Sequence, residues 1–159
     1  MDVERMTEIR SVAGLYAEHR TDLVRFAAWI GGANDAADIV SDAMTSLLKD
    51  GRLAEADHPY ALMQRAVVTK ARSMQRSGFR RRARERHFAG SAAFEHPEFR
   101  PDVVAAVARL SPQQRACVYL TYWEDLTPAK VAERLDIRTG TVKQYLARAR
   151  GKLREVLDE

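Results

Sequence analysis

With 159 residues, 46% hydrophobic and 30% charged, the chain has the make-up of a globular protein of one domain or two small ones. No apolar run approaches the roughly 18 residues that a membrane span needs. The N-terminus, MDVERMTEIR, carries charges where a secretory signal has an apolar stretch, so a cytoplasmic protein without membrane insertion is expected. A single cysteine, Cys117, excludes an intramolecular disulfide and a cysteine-cluster zinc site. Its apolar run, residues 116–120, points to a packing role rather than a reactive thiol.

Apolar residues recur at three- and four-residue spacing almost throughout, with no strand-like alternation, so the fold class expected is all-α. A first helix runs from Val3 to Ile30 and turns Leu15, Tyr16, Leu23, Phe26, Ala27 and Ile30 inward; Gly31 and Gly32 end it. Asn34 is the expected cap of a second helix, with Asp35 in its first turn and Ile39, Ala43, Leu47 and Leu48 as its apolar stripe. Lys49 and Gly51 close it. Asp57 and Pro59 mark a third helix through Leu62, Ala66, Val67 and Met74, with a break expected at Ser77 and Gly78 before the run FRRRARER.

Residues 87–100, HFAGSAAFEHPEFR, have small residues, a proline and no period, and read as a linker. Two compact helical domains, residues 1–86 and 101–159, are therefore expected, with no core spanning both. Pro101 opens a short helix that includes Val103, Val104, Ala106, Val107 and Leu110. Ser111, Pro112 and Gln114 form a capping box for a helix ending near Trp123, and Thr127 with Pro128 repeats the device for a helix to Leu135. Residues 136–140 make a short turn into the last helix, which completes a helix-turn-helix pattern.

Charge is distributed unevenly. Residues 1–64 hold 6 basic and 11 acidic side chains, residues 65–86 hold 9 and 1, residues 87–137 hold 5 and 7, and residues 138–159 hold 6 and 3. One basic block thus ends each half, as expected where a polyanion's counterions are displaced; a solvated helix face would give the same count for either block alone. In the helix-turn-helix, Val131, Ala132 and Leu135 supply the contact from the first helix, and Val142, Leu146, Ala149 and Leu153 repeat along the second. Thr139, Thr141, Lys143, Gln144 and Arg148 lie on or beside the opposite face, with donors suited to base edges and phosphates. A capped antiparallel helix pair with a basic surface would share these features.

Residues 110–157, LSPQQRACVYLTYWEDLTPAKVAERLDIRTGTVKQYLARARGKLREVL, resemble region 4 of extracytoplasmic-function sigma factors, the group 4 branch of the sigma-70 family, above all in GTVK and LARARGKLR. Residues 14–48 resemble region 2 of the same family, including its D-I-V-x-D signature at Asp38, Ile39, Val40 and Asp42. The two resemblances occur in the family's order and together cover residues 11–157.

The resemblance implies a transcription initiation factor with core RNA polymerase and promoter DNA as partners, a possible anti-sigma factor, and a monomeric free state. Region 4 would read the minus-35 duplex through Thr139, Thr141, Lys143, Gln144 and Arg148. Region 2 would dock on polymerase through Asp35, Asp38, Ile39 and Asp42, and would capture the melted minus-10 strand. For that strand the candidates are Asp57, His58 and Tyr60 around a flipped base, Thr69 where an asparagine is usual, and Arg65, Lys70, Arg72, Arg76, Arg80, Arg81 and Arg82 on phosphates. Tyr60 at helical spacing would serve equally as a core residue.

Four further departures stand out beside Thr69: Arg138 replaces the usual serine cap of the recognition helix, although Thr139 could cap one residue later, and Asp136 replaces the turn glycine. Lys130 replaces the glutamate of a capping box, and Ala37 stands where a second acid is common. His19, His58, His87 and His96 show no ligand spacing, and the clustered aspartates lack histidine or cysteine companions, so no metal, cofactor or catalytic group is expected. A sigma-like decoy for an anti-sigma factor and a stand-alone helix-turn-helix regulator are the other readings; polymerase dependence separates them.

Overall fold

The computed structural model describes residues 3–85 and 100–158, and among these every regular element is a helix. The order is α1 (Val3–Gly31), α2 (Ala36–Asp50), α3 (Pro59–Glu85), α4 (Pro101–Val107), α5 (Pro112–Tyr122), α6 (Pro128–Leu135) and α7 (Thr139–Leu157). Helices α1 to α3 pack on one another, and α4 to α7 form a second group around α5 and α7. No helix among the described residues is long and apolar enough to cross a membrane.

The capping chemistry read from the sequence is realised in the second group. Ser111 Oγ accepts from Gln114 N while Ser111 N donates to Gln114 Oε1, both at 3.2 Å, so two orphan donors at the start of α5 are satisfied. Thr127 Oγ1 accepts from Lys130 N at 3.3 Å; the return bond is missing because Lys130 has no acceptor to offer. Asp136 takes the left-handed conformation at φ 55° that lets α6 end, as its replacement of a turn glycine demanded. Arg138 occupies the cap position of α7 with no side-chain cap bond, and Thr139 is already the first helical residue rather than a substitute cap.

Other boundaries differ from the expectation. Asp35, not Asn34, holds the cap position of α2, and its side chain makes no cap bond; its carbonyl accepts from Ile39 N at 2.9 Å. Leu48 shares a flank with Val40 and Met44, yet it is 51% exposed because the covered part of that flank stops one turn earlier. Helix α3 continues through Ser77 and Gly78 without a break. Ser77 Oγ donates to Ser73 O at 3.2 Å, and a lone glycine costs a helix only about 1 kcal/mol.

The largest difference is the core. One cluster of buried apolar residues runs from Leu23, Phe26 and Val67 in the first group to Leu120, Val131 and Leu146 in the second, overturning the expectation that no core spans both. The seam is built where α1 ends. Ala27, Ala28, Trp29 and Ile30 are all buried, so this stretch is enclosed on every side instead of along one stripe. Tyr119 of α5 meets Phe26 edge-on at 5.1 Å between ring centroids and lies 6.2 Å from Trp29. Trp29 Nε1 donates to Arg115 O at 2.9 Å, and the Arg115 guanidinium donates to Leu110 O (3.0 Å), Ala108 O (2.8 Å) and Ile30 O (2.7 Å). One arginine thereby ties the end of α1 to the turn before α5.

Arg115→Ala leaves those three carbonyls without that donor, and is expected to lower the unfolding free energy by about 2 kcal/mol in urea titration. Cys117 is buried, and burial pushes its thiol up to about 12. Iodoacetamide at pH 8 should therefore leave the folded protein unlabelled and label it in urea. Above the thiol's usual value of 9.0 the unfolded chain loses a proton that the folded chain keeps until about 12. Stability present below that window should fall steadily as pH rises through it, a trend that urea titrations at pH 8 and pH 10 would measure. Burial shifts Tyr60 and Tyr119 upward as well, adding to the same trend at higher pH.

Candidate nucleic-acid interface

Helix α6 positions α7 through buried Val131, Ala132 and Leu135, while Val142, Leu146 and Ala149 turn the inner face of α7 into the core and Leu153 is half-buried. This leaves Lys143, Gln144 and Arg148 exposed on the outer face, with Thr139 and Thr141 half-buried at its N-terminal turn. The donors proposed for base edges and phosphates thus share one accessible surface. Its orientation is fixed further by Tyr145, whose hydroxyl donates to Gln113 Oε1 of α5 at 2.9 Å.

In the first group, Asp57 and His58 are exposed on the loop that leads into α3, and His58 O accepts from Leu62 N at 3.2 Å. Thr69 is exposed, its hydroxyl donating to Arg65 O at 3.0 Å. Thr69 and Lys70 line a groove of about 320 Å³ between α2 and α3. Lys70 Nζ pairs with Asp42 Oδ2 at 3.3 Å, so one candidate for DNA neutralises one candidate for polymerase docking. Asp38 and Asp42 are exposed on α2, with Asp35 half-buried at its start. Ile39 is only 1% exposed, and a Cβ on Gly31 would run into its Cδ1. Packed there against the end of α1, Ile39 is a core residue and offers no docking surface, a correction to the expectation for it. Arg80, Arg81 and Arg82 lie within α3, with side chains outside the described residues.

Several candidates are engaged between the two groups. Tyr60 stacks on His19 at 4.8 Å and donates its hydroxyl to Glu124 Oε1 at 3.2 Å. Burial, reinforced by the Glu124 charge, holds that hydroxyl protonated well above its usual range. Arg65 Nη2 donates to Glu133 O at 3.4 Å. Arg72 and Arg76 of α3 share a cleft of about 410 Å³ with Arg148 of α7, alongside Gln113 and Tyr145.

The hub of these contacts was not singled out from the sequence. Glu124 Oε1 accepts from Gln64 Nε2 at 2.6 Å, and Glu124 Oε2 pairs with Arg134 Nη1 at 3.2 Å. Arg134 Nη1 also donates to Gln64 Oε1 at 2.7 Å, and its guanidinium lies 5.9 Å from the Tyr60 ring centroid. Gln64 is fully buried. A glutamine between Met63 and Val67, both core residues of α3, was the one available signal, since a polar group at such a position needs a partner. Among the described residues no group of three or more metal-ligating side chains is present.

The second group is similar to known proteins. Residues 101–153 match the family described as Sigma-70, region 4. The match covers α4 to α6 and most of α7. The chain is 42% identical over 53 residues to an RNA polymerase sigma-E factor of Streptomyces antibioticus, covering 33% of this chain and 29% of that one. It is 44% identical over 48 residues to that of Streptomyces coelicolor, covering 30% and 27%. The match spans less than a third of the length of these relatives. Over both groups the fold is shared with the sigma factor RpoE of Bartonella quintana, solved with the anti-sigma factor NepR, at a TM-score of 0.71 and 20% identity over 94% of this chain and 98% of that one. CnrH, solved with the cytosolic domain of CnrY, gives 0.62 and 22% over 94% and 88%. The unit that matches region 4 is therefore set beside α1 to α3 in an all-helical fold shared with these two structures.

Proposed function

We propose that the chain is an extracytoplasmic-function sigma factor that binds core RNA polymerase and directs it to promoters in the cytoplasm, without catalysis of its own. The observation that carries this is the region 4 match on the unit whose α7 exposes Lys143, Gln144 and Arg148. Residues 1–86 serve as region 2 and residues 101–159 as region 4. The N-terminal turns of α7 enter the major groove at the minus-35 element, while α6 crosses the backbone. The basic face of α3, with Arg72, Arg76 and Arg80 to Arg82, runs along phosphates near the minus-10 element, and Asp57, His58 and Thr69 face the unpaired strand. Asp38 and Asp42 on α2 dock on polymerase.

An anti-sigma partner is proposed on two grounds. Both structural neighbours were solved with such a protein, and region 4 here carries an apolar groove of about 310 Å³ rimmed by Tyr122 and Trp123, which are 63% and 46% exposed.

Run-off transcription with core polymerase on a genomic promoter library tests the reading; DNA binding with no polymerase-dependent transcripts would overturn it in favour of a stand-alone regulator. Asp38→Ala with Asp42→Ala should weaken polymerase binding in titration while changing the unfolding free energy by less than about 0.5 kcal/mol, because both carboxylates are exposed. Lys143→Ala and Gln144→Ala should each change the preferred minus-35 sequence in a selection over randomised promoters, a lost contact being worth about 1 to 3 kcal/mol of discrimination. Replacing Arg80, Arg81 and Arg82 together should weaken all sequences alike and flatten the salt dependence.

A further inference from the structure

The cleft walled by α3, α5 and α7 gathers cations without a counter-ion. Arg72 and Arg76 come from α3 and Arg148 from α7, and no carboxylate is among the described residues that line it. Arg72 is half-buried, Arg76 and Arg148 are exposed, and none of the three has an ion pair among the described residues. Other cations nearby are matched: Lys70 pairs with Asp42, and Arg134 with Glu124. Crowded lysines or histidines relieve their repulsion by losing a proton, but a guanidinium stays charged. Only an anion relieves three arginines in one cleft.

Neutral donors complete the wall. Tyr145 donates its hydroxyl to Gln113 Oε1 at 2.9 Å, which leaves the Gln113 amide N–H groups to donate. The start of α5 also borders the cleft. There Ser111 Oγ serves Gln114 N and Ser111 O serves Arg115 N, whereas Gln113 N has no acceptor within the helix. The positive end of α5 thus adds to the guanidinium charges. A volume of about 410 Å³ suits a small molecule and is far too little for a duplex.

We propose that this cleft binds a small pyrophosphoryl compound, free or carried on a nucleoside, with Arg72, Arg76 and Arg148 as its phosphate partners. The inference goes beyond the sigma-factor reading and does not rest on it. A planar guanidinium fork matches two phosphate oxygens at once, which a lysine cannot do. The phosphodiesters of DNA carry one charge each, spread along a strand. A pyrophosphoryl group concentrates about three negative charges in one place, the number that three guanidiniums balance, whereas a single phosphate brings about 1.5 to 2. Beyond the phosphates, the amides of Gln75 and Gln113 line the cleft with the donors and acceptors that a nucleoside pairs with.

The test uses the full chain, without DNA or polymerase. Isothermal titration at physiological ionic strength measures binding of inorganic pyrophosphate, orthophosphate, sulfate, adenosine diphosphate and adenosine. Pyrophosphate should bind at least about tenfold more tightly than orthophosphate or sulfate, the gain from one further charge-assisted contact. Arg72→Gln, Arg76→Gln and Arg148→Gln should each weaken it about tenfold by the same reasoning. Arg154→Gln removes the same charge from an exposed site of α7 outside the cleft, and should weaken it about twofold at most because distant surface charges are screened. The three cleft variants lie in both helical groups, so if circular dichroism shows one unfolded the others carry the test. Adenosine diphosphate binding more tightly than pyrophosphate assigns the site to a nucleoside-borne ligand, and equal affinity assigns it to free pyrophosphate; either upholds it. The site is overturned if pyrophosphate does not bind, if sulfate or orthophosphate binds as tightly, if Arg154→Gln costs as much as the cleft variants, or if adenosine alone matches its diphosphate.

Discussion

The arrangement depends on the enclosure of the last turns of α1 by α5. Ala27, Ala28, Trp29 and Ile30 have no solvent-facing side, and the indole and guanidinium hydrogen bonds between Trp29, Ile30 and Arg115 satisfy the polar atoms that this burial would otherwise strand. Two helical groups that each have a modest core gain a shared one, which matters for units this small because the buried fraction of surface falls with size.

Within the second group, helix geometry and charge work separately. Apolar residues spaced three and four apart seat α7 against α5 and α6, and the steep change from buried Val142 to exposed Lys143 and Gln144 leaves a polar face whose direction is set by packing. The same logic governs α2, where Ile39 and Ala43 go inward and Asp38 and Asp42 outward. Lys70 on α3 reaches Asp42, so the acidic and basic surfaces of the first group touch at one ion pair, exposed enough to contribute little stability and easily exchanged for another partner.

Between the groups the balance differs, because charges there are only partly hydrated. Glu124 and Arg134 are held by neutral side chains of the opposite group, while like charges on Arg72, Arg76 and Arg148 face one cleft. Apolar burial and opposed electrostatics thus meet along one interface.

Much of the fold was legible along the chain because its causes are local. Ser111 with Gln114, Thr127 with Pro128, and Asp136 in its left-handed turn each act within four residues, so their identity and spacing determine where α5, α6 and α7 begin and end. Periodicity likewise determined the inward and outward faces of α7. Tertiary structure alone decided that the last turns of α1 are buried on all sides, that Ile39 serves the core, and that Tyr60, Gln64, Glu124 and Arg134 meet. Those four residues span positions 60 to 134 and belong to helices and turns with no local reason to approach one another. Their encounter depends on how two separately patterned surfaces dock, which one-dimensional spacing does not encode.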